Sequence, residues 1–166
     1  DDFHEKKDRI YRVPMIIREK DGKEQKFAFT FPAVAPAMKK DFPEIEEAAR
    51  IRTRSGIVKQ HETKIAEGGR ICYVDASLFK IFSLPFVQGQ VFRELNDAVI
   101  TEETAVKYFG KENPIGKALH YNQQDFIVKG VIEDFPSNSH MKFNILLNYE
   151  KYIQETEGRA ALNTSE

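Results

Sequence analysis

Tryptophan is absent from the 166 residues, cysteine occurs once, and no apolar run reaches the length of a membrane span. Each shortage excludes something. Cys72 alone cannot close an internal disulfide, and a single thiol rules out a zinc site built from several cysteines. The redox compartment therefore cannot be read from cysteine usage, and Cys72 itself reads as a small buried apolar side chain. The best apolar candidate, residues 27–38, is broken by Pro32 and Pro36 and falls short of the roughly 18 residues a span needs. The opening Asp1-Asp2-Phe3-His4-Glu5-Lys6-Lys7 is charged and lacks the apolar core of a signal peptide. Excess charge of one sign is missing too. The net charge is −1, so there is neither the basic stripe of a nucleic-acid binder nor a polybasic patch for anionic lipid.

What is present suits one domain. A chain of this length buries roughly two-thirds of its unfolded surface and needs no disulfide or metal staple. Thirteen Phe residues supply bulky core material.

The pattern predicts an α+β protein with mixed or antiparallel sheets and short helices. Tyr11, Val13, Met15 and Ile17 alternate with more polar neighbours, Asp21-Gly22 turns the chain, and Phe27, Phe29 and Phe31 alternate again. Residues 10–31 read as a hairpin whose aromatic stripe faces the core. Val34, Met38 and Phe42 define a short helix ended by Pro43. Residues 46–54 fit either strand or helix and lean to strand. Ser55-Gly56 opens a strand over 57–60, and 63–74 forms another, with a bulge or tight turn at Gly68-Gly69. Asp75 is the expected cap of a helix carrying Leu78, Ile81 and Phe82.

The clearest helix covers 102–109, capped by Thr101, with acidic residues in its first turn and Ala105, Val106 and Phe109 as its buried stripe. Gly110 ends it. A second hairpin covers 117–133. Met141, Phe143, Ile145, Leu147 and Tyr149 alternate as a long strand. Residues 1–152 form the domain, and 153–166 a tail, polar and frayed from Gly158 onward.

Candidate chemistry fails on spacing or context. Gly110 to Ala118 resembles a phosphate-binding loop, but five residues separate its glycines, Ala118 replaces the required hydroxyl, and it follows a helix. It reads as a cap followed by a Pro-Gly turn. His4, His61, His120 and His140 show no ligand spacing, although His120 and His140 could meet in space. Ser55 and Ser137 to Ser139 read as turn residues, with no nucleophile elbow around them. Glu44, Glu46 and Glu47, and likewise Glu102 and Glu103, read as solvated charge. No catalytic, cofactor-binding or metal-binding residue is expected.

Several phrases carry a resemblance. They are Phe3-His4 with Asp8-Arg9-Ile10-Tyr11-Arg12; Phe42-Pro43-Glu44-Ile45-Glu46-Glu47; Val74-Asp75 with Ser77-Leu78-Phe79-Lys80-Ile81-Phe82-Ser83-Leu84-Pro85-Phe86 and Gly89; Tyr108-Phe109-Gly110 with Asn113-Pro114-Ile115-Gly116-Lys117; and Gly130-Val131-Ile132-Glu133-Asp134-Phe135-Pro136 with Asn138-Ser139-His140. In this order they resemble the periplasmic, MacB-like domain of MacB/FtsX-type ABC transporter permeases.

The resemblance implies a porter-like lobe with a mostly β lobe inserted in it, lying outside the inner membrane. It implies a transmembrane helix just before Asp1 and others later. A separate cytosolic ATPase would supply energy, and the permease would act as a homo- or heterodimer with a periplasmic or outer-membrane partner. Cargo or clients would include peptides, drugs, lipoproteins and cell-wall enzymes. Domains of this kind run further and return through more strands, so the expectation is either a segment cut short at Glu166 or a shorter porter lobe. The role implied is non-catalytic: coupling ATP-driven membrane movement to export, lipoprotein handling or partner activation. The alternative is an extracytoplasmic sensor for a small ligand or peptide.

Overall fold

The computed structural model describes residues 7–163. Its framework is one seven-stranded sheet, in the order β5-β8-β6-β9-β4-β3-β7. The strands are β3 (Ile51–Gln60), β4 (Thr63–Val74), β5 (Phe86–Gly89), β6 (Asp97–Thr101), β7 (Ala118–Tyr121), β8 (Gln124–Ile132) and β9 (Ile145–Asn148). Pairs β4–β9 and β6–β8 are parallel and the others antiparallel. β7 also pairs with β8, so six strands close into a ring. One edge of β8 meets β6. The other is shared, β7 along its first residues and β5 along its last. Closure satisfies backbone groups that an open sheet would leave at an edge.

Both faces of the sheet are buried at its centre. Ile71, Tyr73, Ala98, Ile100, Phe126, Val128, Ile145 and Leu147 pack on one face, with α3 (Glu102–Phe109) and α4 (Tyr149–Asn163). Cys72, Val74, Val99 and Leu146 pack on the other, against Leu78 and Phe79 of α2 (Leu78–Ile81) and against Phe92 and Phe143. Burial of each such aliphatic side chain stabilises by about 1.5–3 kcal/mol. An irregularity at Lys129, where Ala98 pairs with Val128 but Val99 with Gly130, shifts the alternation of β8. That shift lets Phe126, Val128 and Val131 share a core although their spacing breaks the period of two.

Some expected elements differ. The N-terminal hairpin exists as a separate two-stranded sheet, β1 (Met15–Arg18) with β2 (Glu24–Phe27). Its aromatic stripe is not a core face: Phe29 is 55% exposed, Phe31 65% and Tyr11 82%. Phe27 is half-buried and stacks on Phe29 at 5.3 Å. Alternation reports a face, but not what covers it. α1 (Val34–Asp41) forms as expected, and no residue in it is fully buried. The segment leaning to strand over 46–54 becomes strand only at Ile51, in one run with 57–60.

The bulge at Gly68-Gly69 is present: β4 has extra residues there, opposite Ser55, whose hydroxyl accepts the Gly69 N–H at 2.7 Å. The long strand expected at 141–149 is strand only at Ile145–Asn148. Phe143 and Ile145 consequently join opposite cores. Tyr149 starts α4, which continues through the stretch expected as a tail to Asn163.

α3 keeps its expected cap, with Thr101 Oγ1 accepting the Thr104 N–H at 3.4 Å. A second cap comes from afar, since Asp134 accepts the Glu103 N–H at 3.0 Å. Of the expected stripe, Val106 is 66% exposed, and Thr104 and Tyr108 are buried instead. Asp75 does not cap α2; that position belongs to Ser77, whose hydroxyl donates to the Ala48 carbonyl at 2.6 Å.

Candidate functional site

Two linkages of polar side chains, one buried and one half-buried, join helices to the sheet. Glu67 lies on β4 just before its bulge and is 2% exposed. Its carboxylate accepts from Lys107 Nζ at 2.6 Å, Tyr108 hydroxyl at 2.9 Å and Asn144 Nδ2 at 3.0 Å. Asn144 is held in turn by backbone bonds to Arg70 and Thr101. Burial alone would raise the Glu67 pKa. The three donors outweigh it and hold the carboxyl below its ordinary range. Burial and the Glu67 carboxylate push the Tyr108 hydroxyl well up, so it stays a donor. One carboxylate thus ties β4, α3 and the approach to β9 together.

The second linkage fixes α4. Arg50 makes a two-pronged ion pair with Asp75, at 2.9 Å from Nε and 2.8 Å from Nη2. The Arg50 N–H also donates to the Asp75 carboxylate at 2.7 Å, and the Asp75 N–H donates to the Arg50 carbonyl at 3.2 Å. Arg50 also bonds Glu150 and lies 4.2 Å over the Tyr149 ring. Arg54 donates to the Tyr152 hydroxyl at 3.1 Å and stacks on that ring. Further along, Glu155 accepts from the Tyr73 hydroxyl at 3.2 Å and from Gln124 Nε2 at 3.1 Å.

The groups considered for chemistry have structural surroundings. After α3, Gly110 takes φ 61°. The Asn113 side chain accepts the Ile115 N–H at 3.0 Å, and Gly116 and Lys117 bond the Val128 backbone. Lys117 pairs with Glu112. Most amides of the turn are thus bonded to β8 or within the turn itself. His120 Nδ1 lies 2.8 Å from Asp125 Oδ1. Glu46 pairs with Arg9, Glu47 with Lys39 and Lys80, and Glu102 and Glu103 begin α3. Among the described residues no three His, Cys, Asp or Glu side chains are placed to hold a metal ion.

Cys72 lies between strands with no exposure, and burial pushes its thiol up to about 12. The native protein should therefore not react with a thiol reagent at neutral pH and should titrate one thiol in denaturant. A native rate close to that of free cysteine would contradict this burial.

Open clefts lie on the surface of the described residues. One, of about 490 Å³, has apolar walls including Phe79, Leu84, Phe86 and Val91, with Ser77, Lys80 and Gln90 beside them. Another, of about 500 Å³, lies beside β3 and β7 and is lined mainly by polar and charged side chains. Neither Glu67, Arg50 nor either cleft stands out from the sequence, because each depends on residues far apart in the chain.

A closed mixed sheet with helices tied to it by polar side chains defines an α+β domain. The family model for the MacB-like periplasmic core domain matches residues 1–164. The chain belongs to that family. A curated relative, the macrolide export ATP-binding/permease protein MacB of Aggregatibacter actinomycetemcomitans, is 30% identical over 97 residues, which is 52% of this chain and 15% of that protein.

Three solved structures share the fold. The periplasmic region of MacB from Actinobacillus actinomycetemcomitans matches with TM-score 0.65 and 21% identity, over 75% of this chain and 57% of that one. A domain assigned to a permease protein from Porphyromonas gingivalis gives 0.68 and 22%, over 77% and 56%. The extracellular domain of the noncanonic ABC-type transporter YknZ from Gram-positive bacteria gives 0.51 and 19%, over 66% and 57%. This chain thus spans little more than half of each matched structure. Among the described residues no helix is long and apolar enough to cross a membrane.

Proposed function

We propose that this chain is the extracytoplasmic domain of an ABC transporter permease and works by contact and rigid movement, with no chemistry of its own. The observation that carries the reading is the double tie of the helices to a closed sheet: α3 through Glu67, and α4 through the contacts of Arg50 with Tyr149 and Glu150 and of Arg54 with Tyr152. A body linked in this way moves as a unit, so displacement applied at one element reaches the others. Energy would come from a cognate ATPase acting through the membrane part of the permease at the inner membrane. The permease would work as a dimer of like or unlike subunits, with a periplasmic or outer-membrane partner receiving the motion.

The test uses the whole permease with its ATPase in vesicles. Arg50→Ala should lower transport or partner activation several-fold while ATP hydrolysis continues, and the purified domain should release no phosphate from ATP. Proportional loss of both activities in the variant, or steady hydrolysis by the domain alone, would sink the reading.

The apolar cleft supports a second reading, an extracytoplasmic sensor. A specific peptide or small molecule that raises the melting temperature of the isolated domain, and ceases to do so in Phe86→Ser, would favour it.

A further inference from the structure

The β3–β4 hairpin carries an unbalanced basic row. Register places Lys59 directly opposite Lys64 on one side and opposite His120 on the other. His120 faces Asp125 on β8. Residues directly opposite on neighbouring strands project from the same face. Lys64, Lys59, His120 and Asp125 therefore form one line across four strands. Both lysines are exposed, while the adjacent Val58 is buried on the other face.

Acid reaches only the ends of this region. Asp125 is engaged by His120, and Glu112 at the rim is engaged by Lys117. Neither Lys59 nor Lys64 has a carboxylate partner among the described residues, nor does Glu62 in the adjoining turn form an ion pair there. Like charges directly opposed on a sheet oppose folding. The chain as a whole has slightly more acid than base, so the row is not a by-product of a basic protein. The cleft of about 500 Å³ runs beside it, with His61, Lys117 and Ala118 on its walls.

We propose that this row docks an acidic polypeptide segment in extended form. Alternate side chains of such a segment recur about every 6.6 Å, within reach of flexible lysines on strands about 4.8 Å apart. Asp125 and Glu112 flank the row and would repel a broad anionic plane, so a narrow polypeptide fits better than a lipid surface. The proposal rests on the reading of the domain as a contact module and names one contact.

The test measures anisotropy of a short fluorescent polyglutamate peptide with the 166-residue domain, alongside flotation with vesicles containing phosphatidylglycerol. The wild type should bind the peptide, more weakly as salt rises. Lys64→Glu should weaken binding about tenfold or more and, by pairing with Lys59, leave the melting temperature equal or higher. Lys59→Gln should also weaken binding, whereas Lys40→Glu, on the exposed side of α1, should not. Absence of wild-type binding, equal binding by Lys64→Glu, a marked fall in its melting temperature, or stronger capture by vesicles than by peptide would each overturn the proposal. Such a failure removes the docking surface only, since the transport-against-hydrolysis test reads the mechanical role separately.

Discussion

Glu67→Ala should destabilise the domain by about 3–5 kcal/mol, the range for removing one partner of a buried ion pair. In a protein of this size that lowers the melting temperature by roughly 10 °C or more. The size follows from what remains behind. Tyr108 hydroxyl and Asn144 amide lose their acceptor, and Lys107 loses its counter-charge. Glu67→Gln keeps the shape and one acceptor oxygen, so it should lose less.

The pair of variants also fixes the pH dependence. The folded-state pKa of Glu67 is held below its ordinary value of 4.5. Its charge therefore contributes stability that is fully present above that value and is lost as pH falls through the folded pKa. The stability gap between wild type and Glu67→Gln should be constant near neutrality and shrink below pH 4.5 in denaturant titrations. A gap independent of pH, or a Glu67→Ala cost under 1 kcal/mol, would contradict the ionised network.

Gly89→Ala should be nearly as damaging, by about 3 kcal/mol, combining the strain of a left-handed backbone with overpacking. Gly89 has φ 74°, and an added Cβ would lie 2.1 Å from the Lys129 carbonyl. It also faces Gly130 directly in register, and a Cβ on Gly130 would meet the Phe86 ring at 2.6 Å. The two strands touch because neither residue has a side chain. Thermal melts should show a fall of several degrees for Gly89→Ala, whereas Gly68→Ala, with open space around it, should change little. Equal effects at the two glycines would show that the close approach is not required.

This contact gives physical content to the resemblance. The phrases around Phe86, Gly89 and Gly130 keep two backbones in contact. Asp134 caps a helix 31 residues earlier in the chain. Asn113 and Gly116 shape the turn that docks on β8. Glu67 belonged to none of those phrases, although its buried carboxylate accepts from three side chains. Alternation along β4 puts Glu67 on the same inward face as Thr63 and Ile65; what the sequence does not show is that α3 and the segment before β9 supply donors there.

Lys59 and Lys64 were closer to being legible. They lie symmetrically about the turn at His61-Glu62, so a tight hairpin there sets them opposite one another. The third member, His120, required the β3–β7 pairing, which local pattern does not encode.

By itself, the sequence determined the α+β class, the helix at 102–109 with its Thr101 cap, the Gly68-Gly69 bulge and the absence of any motif with catalytic spacing. These depend on period, caps and turn chemistry within a few residues. Only the tertiary structure decided the ring closure through β7 and β8, the exposure of Phe29 and Phe31, the late start of β9 and the carboxylates that tie helices to sheet. Each is a non-local pairing, and periodicity records which side of an element is apolar, not which distant element will cover it.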